Sequence, residues 1–160
     1  MSQTATRKLW ALIAAIVVAD QLTKLWALNR LSGGRTIDIV GSLRFNLAFN
    51  KGMAFSQATG AGPIIGALAF LIIIVIVLWM RRSAAGMSAV AAGLIVGGAL
   101  GNLIDRLFRN DAWLRGAVVD FVDLQWFPVF NVADSCITIG AALMVLASLR
   151  AKSATRAAGN

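Results

Sequence analysis

The chain has 160 residues, 59% of them hydrophobic, and a formal net charge of +8. It has one cysteine, no histidine and no glutamate; all seven acidic residues are aspartates. This excludes an internal disulfide, any multi-cysteine metal centre, a Ser-His-Asp triad and a His-Glu zinc site, so no metal or other cofactor is expected.

Four apolar stretches, at about 9–28, 64–80, 87–107 and 130–149, approach the roughly 20 residues that a spanning helix needs. The expected fold is an all-α membrane protein of four transmembrane helices in a single domain, 1–160, with external segments at about 29–61 and 108–128. Residues 1–8 read as a short polar tail and 151–160 as a disordered one. The first stretch follows Arg7 and Lys8 as a signal peptide would, but Asp20 and Lys24 interrupt its apolar core. No small-x-small cleavage site precedes a soluble domain, so it reads as a retained helix. Asp20 and Lys24 stand at i,i+4 and share a face, with Gln21 beside them. A salt-bridged pair inside the bundle is the structural reading.

In 29–61, Gly33-Gly34 and Gly41-Ser42 are turn signals. The segments around them alternate polar and apolar residues as half-buried strands do, so a small hairpin on the outer membrane surface is expected. It leads into Asn50-Lys51-Gly52-Met53-Ala54-Phe55-Ser56, where Gly52 permits a tight turn. The second helix carries no charge. Arg81-Arg82 after it favour a cytoplasmic turn, which places both termini inside and every polar motif on the outer side. Basic residues at helix ends suit anionic lipid headgroups rather than nucleic acid.

The third helix has Gly93, Gly97 and Gly101 spaced by four, which allows close helix approach. At its end Asn102, Asp105 and Arg106 share a face, and Asp105 with Arg106 reads as a local ion pair. Trp113, Trp126 and Phe127 suit an interfacial belt. Residues 118–123 alternate like a strand, so Asp120 and Asp123 face opposite ways and only one of them is expected at the site. Asn131 and Asp134 fall in the first turns of the fourth helix, where the helix dipole favours a carboxylate. Cys136, without a histidine to activate it, reads as a packing residue.

These residues leave several chemistries open. Asp120 and Asp134 are candidates for a carboxyl pair that holds one proton, one member activating water and the other polarising a carbonyl. Lys24 with Ser56 or Ser135 is a second arrangement, disfavoured because Asp20 would keep the lysine charged. A transporter or channel subunit using intramembrane Asp, Asn and Lys, and a non-catalytic scaffold, are readings of other classes.

Taken in order, Asp20-Gln21-Leu22-Thr23-Lys24, Asn50-Lys51-Gly52-Met53-Ala54-Phe55-Ser56, Gly101-Asn102-Leu103-Ile104-Asp105-Arg106, Val118-Val119-Asp120-Phe121 and Phe130-Asn131-Val132-Ala133-Asp134-Ser135 resemble the lipoprotein signal peptidase (signal peptidase II) family. The match runs from about residue 9 to 149. The resemblance implies a bacterial inner-membrane aspartyl endopeptidase that cuts prolipoproteins before a diacylglyceryl-modified cysteine. It implies four transmembrane helices, an external β-cradle and a small external helix, with Asp120 and Asp134 as the catalytic dyad. It also implies that Asp20, Asn50, Gly52, Asn102, Asp105, Arg106, Asn131 and Ala133 support the dyad or contact substrate; Lys24 and Phe55 join them as candidates on their own chemistry. Phe55 and Trp126 suit a lid, acyl-chain contacts or an interfacial anchor. Expected partners are the prolipoprotein and membrane lipids, with no nucleic acid and a monomeric enzyme. No lipobox surrounds Cys136, so the chain reads as the processor and not as a substrate.

Overall fold

The computed structural model describes residues 2–51, 62–83, 86–109, 114 and 116–158. Four helices in it are long and apolar enough to cross a bilayer. They are α1 (Gln3–Leu31), α2 (Gly62–Ser83), α3 (Gly86–Phe108) and α4 (Val132–Ala158). Strands β1 (Thr36–Val40), β2 (Leu43–Asn50) and β3 (Val118–Asp123) form one antiparallel sheet in the order β1-β2-β3. This is the four-helix fold with a small sheet that the sequence predicts.

Three boundaries differ from expectation. The 1–8 tail is helical from Gln3, where the Ser2 hydroxyl accepts the Ala5 N–H and caps α1. The expected disordered tail continues α4 to Ala158. Its alanines and basic residues are strong helix formers, and cations are favourable at a helix C-terminus. Helix α4 begins at Val132, two residues later than expected, because Phe130 is held by β3.

Helix α3 packs against each of the other three. The stripe of small residues explains its contact with α1. A methyl group on Gly93 would meet Leu9, and one on Gly97 would meet Ile16. One on Gly101 would lie 2.5 Å from Asp20 Oδ2. Side chains of α1 therefore pack directly on the backbone of α3, as small-residue faces allow in lipid. Leu9, Ile13, Val96 and Leu103 fill the interior along this seam. Helix α2 instead shows Leu68, Leu71, Ile72 and Val75 to the outside, as the lipid-facing side of a bundle should.

The hairpin turns through Gly41, whose φ of +57° suits the first position of a two-residue loop. The sheet sits over the C-terminal end of α1, where Phe45, Trp26 and Phe121 meet edge-on or tilted. At the far edge Phe130 makes three backbone hydrogen bonds with Phe121 and Val122. That bridge lays the start of α4 beside β3. Among the described residues there is no external helix.

Candidate active site

Lys24 lies at the centre of the site and is fully buried. Its Nζ is 2.8 Å from Asp20 Oδ2, 2.9 Å from Asp105 Oδ2 and 2.9 Å from Asn102 Oδ1. An ammonium group has three protons, and all three are donated. The expected Asp20–Lys24 pair is present, but it is one arm of a larger cluster joining α1 to α3.

Each of the two carboxylates on Lys24 also grips a backbone amide. Asp20 Oδ1 accepts the N–H of Ala133 at 3.0 Å, and Asp105 Oδ2 accepts that of Val119 at 3.1 Å. Ala133 immediately precedes Asp134, and Val119 immediately precedes Asp120. Isolated buried ions lose several kcal/mol of hydration each, which only close pairing and full hydrogen bonding offset. Here both requirements are met, and the cost is coupled to the placement of two further aspartates.

Those two are joined through Asn131. Its Nδ2 donates to Asp120 Oδ1 at 2.6 Å, while its backbone N–H donates to Asp134 Oδ2 at 3.2 Å. Asn131 Oδ1 accepts the Asp134 N–H at 2.9 Å. The reciprocal pair of bonds is a capping box at the start of α4, so Asp134 is oriented by the same bonds that begin its helix. Asn102 donates its Nδ2 to Asp134 Oδ1 at 2.7 Å and accepts Asn131 Nδ2 at 3.1 Å. Asn50, at the end of β2, adds a side-chain hydrogen bond to Asp120.

Asp120 is 2% exposed and Asp134 is partly buried. Burial, reinforced by the Asp134 charge, pushes Asp120 up to about 7. Hydrogen bonds from Asn131 and Asn50 and the Lys24 charge oppose the shift without cancelling it. Asp123 faces elsewhere, as strand alternation predicts. Arg44 Nε, Asn46 Nδ2 and the Gln125 N–H all donate to it.

The expected Asp105–Arg106 ion pair is absent among the described residues. Successive helical positions point about 100° apart, so the two side chains diverge. Asp105 pairs with Lys24 and, one turn on, with Arg109 at 2.6 Å. Arg106 is 7% exposed, its charge faces Asp105, Asp120 and Asp134, and its Nη1 has no partner among the described residues. Ser135 is not set up as a nucleophile: its hydroxyl donates to the Asn131 carbonyl, and Lys24 Nζ is taken up by Asp20, Asp105 and Asn102. Of the expected site residues, Asp20, Lys24, Asn50, Asn102, Asp105, Asn131, Ala133, Asp120 and Asp134 converge, and Arg106 lies beside them. Gly52 and Phe55, like Ser56 and Trp113, lie outside the described residues.

Three contributors were missed. Gln21 donates Nε2 to Asp20, Asp105 and the Gly101 carbonyl, cross-linking the cluster. Arg109 completes the shell of Asp105, and its i,i+4 spacing was a readable signal. A side chain on Gly116 would strike the Asp105 and Arg106 backbone, so only glycine lets the chain enter β3 there. Beyond Asp134 an apolar cavity of about 440 Å³ opens between Trp126, Phe127, Phe130 and the α4 residues Ser135, Thr138 and Ile139.

Four bilayer-length helices enclosing two linked carboxyl groups beneath a small sheet define a multi-pass membrane protein with its polar chemistry gathered at one end. Its sequence relatives agree on what kind. A family profile described as "Signal peptidase (SPase) II" matches residues 12–150, and the chain belongs to that family. The lipoprotein signal peptidase of Mycobacterium leprae (strain Br4923) is 42% identical over 145 residues, covering 89% of this chain and 72% of that protein. That of Rhodococcus jostii (strain RHA1) is 43% identical over 145 residues, covering 89% and 73%. A solved bacterial membrane enzyme is similar with a TM-score of 0.81 at 30% identity, covering 91% of this chain and 90% of the other.

Proposed function

We propose that this protein is a membrane-embedded aspartyl endopeptidase that removes signal peptides from bacterial prolipoproteins, cutting before the lipid-modified cysteine. Family membership supports signal-peptide removal. The observation that carries the aspartyl mechanism is Asn131, which hydrogen-bonds both Asp120 and Asp134 and so holds two carboxyl groups at one point. With one shared proton, the ionised carboxyl takes a proton from water as the water oxygen bonds the scissile carbonyl carbon. The protonated carboxyl hydrogen-bonds and then protonates the carbonyl oxygen, giving a neutral gem-diol. When the C–N bond breaks, the carboxyl now bearing the water proton gives it to the leaving nitrogen. A gem-diol hydroxyl returns its proton to the other carboxylate, and the pair is restored.

The remaining residues have supporting parts in this reading. Arg106 Nη1, buried on a guanidinium whose charge acts on both aspartates, supplies a donor for a substrate carbonyl. Asn50 steadies Asp120, and Gly52 and Phe55 are proposed substrate contacts. The apolar cavity next to Asp134 suits acyl chains or the apolar part of the signal segment. We place the site at the outer face of the inner membrane, with both termini cytoplasmic. We further propose a monomer forming one integral-membrane domain.

The test is cleavage of a prolipoprotein with and without its diacylglyceryl group, followed by mass spectrometry of the products. The proposal predicts a single cut with the lipidated cysteine at the new N-terminus and little cleavage of the unmodified precursor. Cleavage elsewhere, or equal cleavage of both, would contradict the specificity.

A further inference from the structure

We propose that Lys24 is a positioning residue that sets the direction of the hydrogen bonds reaching the aspartate pair, so that Asp134 stands as its ionised member and Asp120 carries the shared proton. This rests on the two-aspartate reading and deepens it. An amide side chain can present either its oxygen or its nitrogen, but an ammonium can only donate. Lys24 therefore obliges Asn102 to turn Oδ1 toward it, at 2.9 Å. The Asn102 Nδ2 is then committed to Asp134 Oδ1, at 2.7 Å. The other Asp134 oxygen accepts a backbone N–H, which cannot reverse at all. Both Asp134 oxygens thus face donors of fixed direction, at the N-terminus of a long helix, an arrangement that stabilises a carboxylate.

Asp120 is placed differently. It is nearly fully buried on a strand with no helix terminus behind it, and the donors it receives from Asn131 and Asn50 are side-chain amides, the Asn131 one held in direction by the Asp134 N–H on its Oδ1. The charged groups facing Asp134 are Lys24 and Asp20 on α1, Arg106 on α3 and Asp120 on β3. Asp20 is held by Lys24 on Oδ2 and by the Ala133 N–H on Oδ1, so its charge is already matched. The lysine does this through both of its carboxylates, since Asp105 likewise holds the residue before Asp120. One buried cation accordingly fixes both backbones and the polarity between them.

Two measurements test this. The acid limb of the kcat/KM profile reports the ionised member. Lys24→Gln and Asn102→Leu are each expected to move that limb upward by about one to two pH units, the range a lost charge or charge-stabilising bond produces. Lys24→Gln strips Asp20 of its cation, leaves Asp105 with Arg109 alone and can fail to fold. Asn102→Leu keeps those ion pairs and removes the relay together with one of the bonds from Asn131 Nδ2, whose bond to Asp120 remains, so it decides the matter. An unmoved limb in folded Asn102→Leu overturns the inference. A wild type without cleavage overturns the peptidase reading instead, and the second measurement still applies.

That second measurement is the infrared band of protonated carboxyl groups in the resting protein, taken about one unit below the value of about 7 reached by Asp120. The band should persist in Asp134→Asn and vanish in Asp120→Asn. The reverse pattern, or the same band in both, assigns the proton otherwise and refutes the proposal.

Discussion

Asp120→Asn should stabilise the protein against unfolding while abolishing its activity, and the gain should depend on pH in a defined direction. Asp120 is shifted from an ordinary 3.8 to about 7 in the folded protein, chiefly by burial. A carboxyl group raised in this way binds its proton more tightly when folded than when unfolded. Its contribution is therefore fully present below the unfolded value near 4 and is lost as pH rises through about 7. Each unit is worth 1.36 kcal/mol, so the full loss above neutrality is on the order of 4 kcal/mol. Asparagine keeps the shape and still accepts the Asn131 hydrogen bond without ever ionising. Thermal unfolding in detergent, compared between variant and wild type, should show a gap of a few kcal/mol at about pH 8 that closes toward about pH 4. A gap independent of pH, or one that widens in acid, would refute the reasoning.

Three further substitutions separate the parts of the structure. Asp105→Ala leaves Lys24 short of a counter-charge and should cost about 3–5 kcal/mol, read as a lower unfolding midpoint. Gly101→Ala places a methyl against Asp20 and should cost about 1–3 kcal/mol with a disproportionate loss of activity, measured by unfolding and by turnover. Arg44→Ala breaks a pair whose arginine is 33% exposed. It should cost less than about 1 kcal/mol and leave turnover near wild type in the same two assays.

Several features were legible in the chain because they depend on short spacings. The i,i+4 relation of Asp20 and Lys24, the glycines spaced by four, the two-residue turn at Gly41 and the opposed directions of Asp120 and Asp123 all appear as expected. The capping box was half legible, since Asn131 and Asp134 stand three apart, yet their reciprocal bonding depends on where α4 begins. What could not be read was the meeting of Lys24 with Asn102 and Asp105, about eighty positions away, which follows from the packing of α1 on the glycine face of α3. The Asp105–Arg106 pairing failed because adjacency in sequence is divergence on a helix. The tail expected to be disordered from residue 151 is helical to Ala158, because its alanines and basic residues favour helix.

The central claim is that Asp120 and Asp134 together hydrolyse the signal-peptide bond. The most direct test is single-turnover cleavage of a diacylglyceryl-modified prolipoprotein by purified wild type, Asp120→Asn and Asp134→Asn proteins, each first shown to be folded. The account predicts cleavage by the wild type and loss of at least about a thousandfold in both variants, as expected when either member of a unit is removed. Cleavage that survives in either folded variant would contradict it.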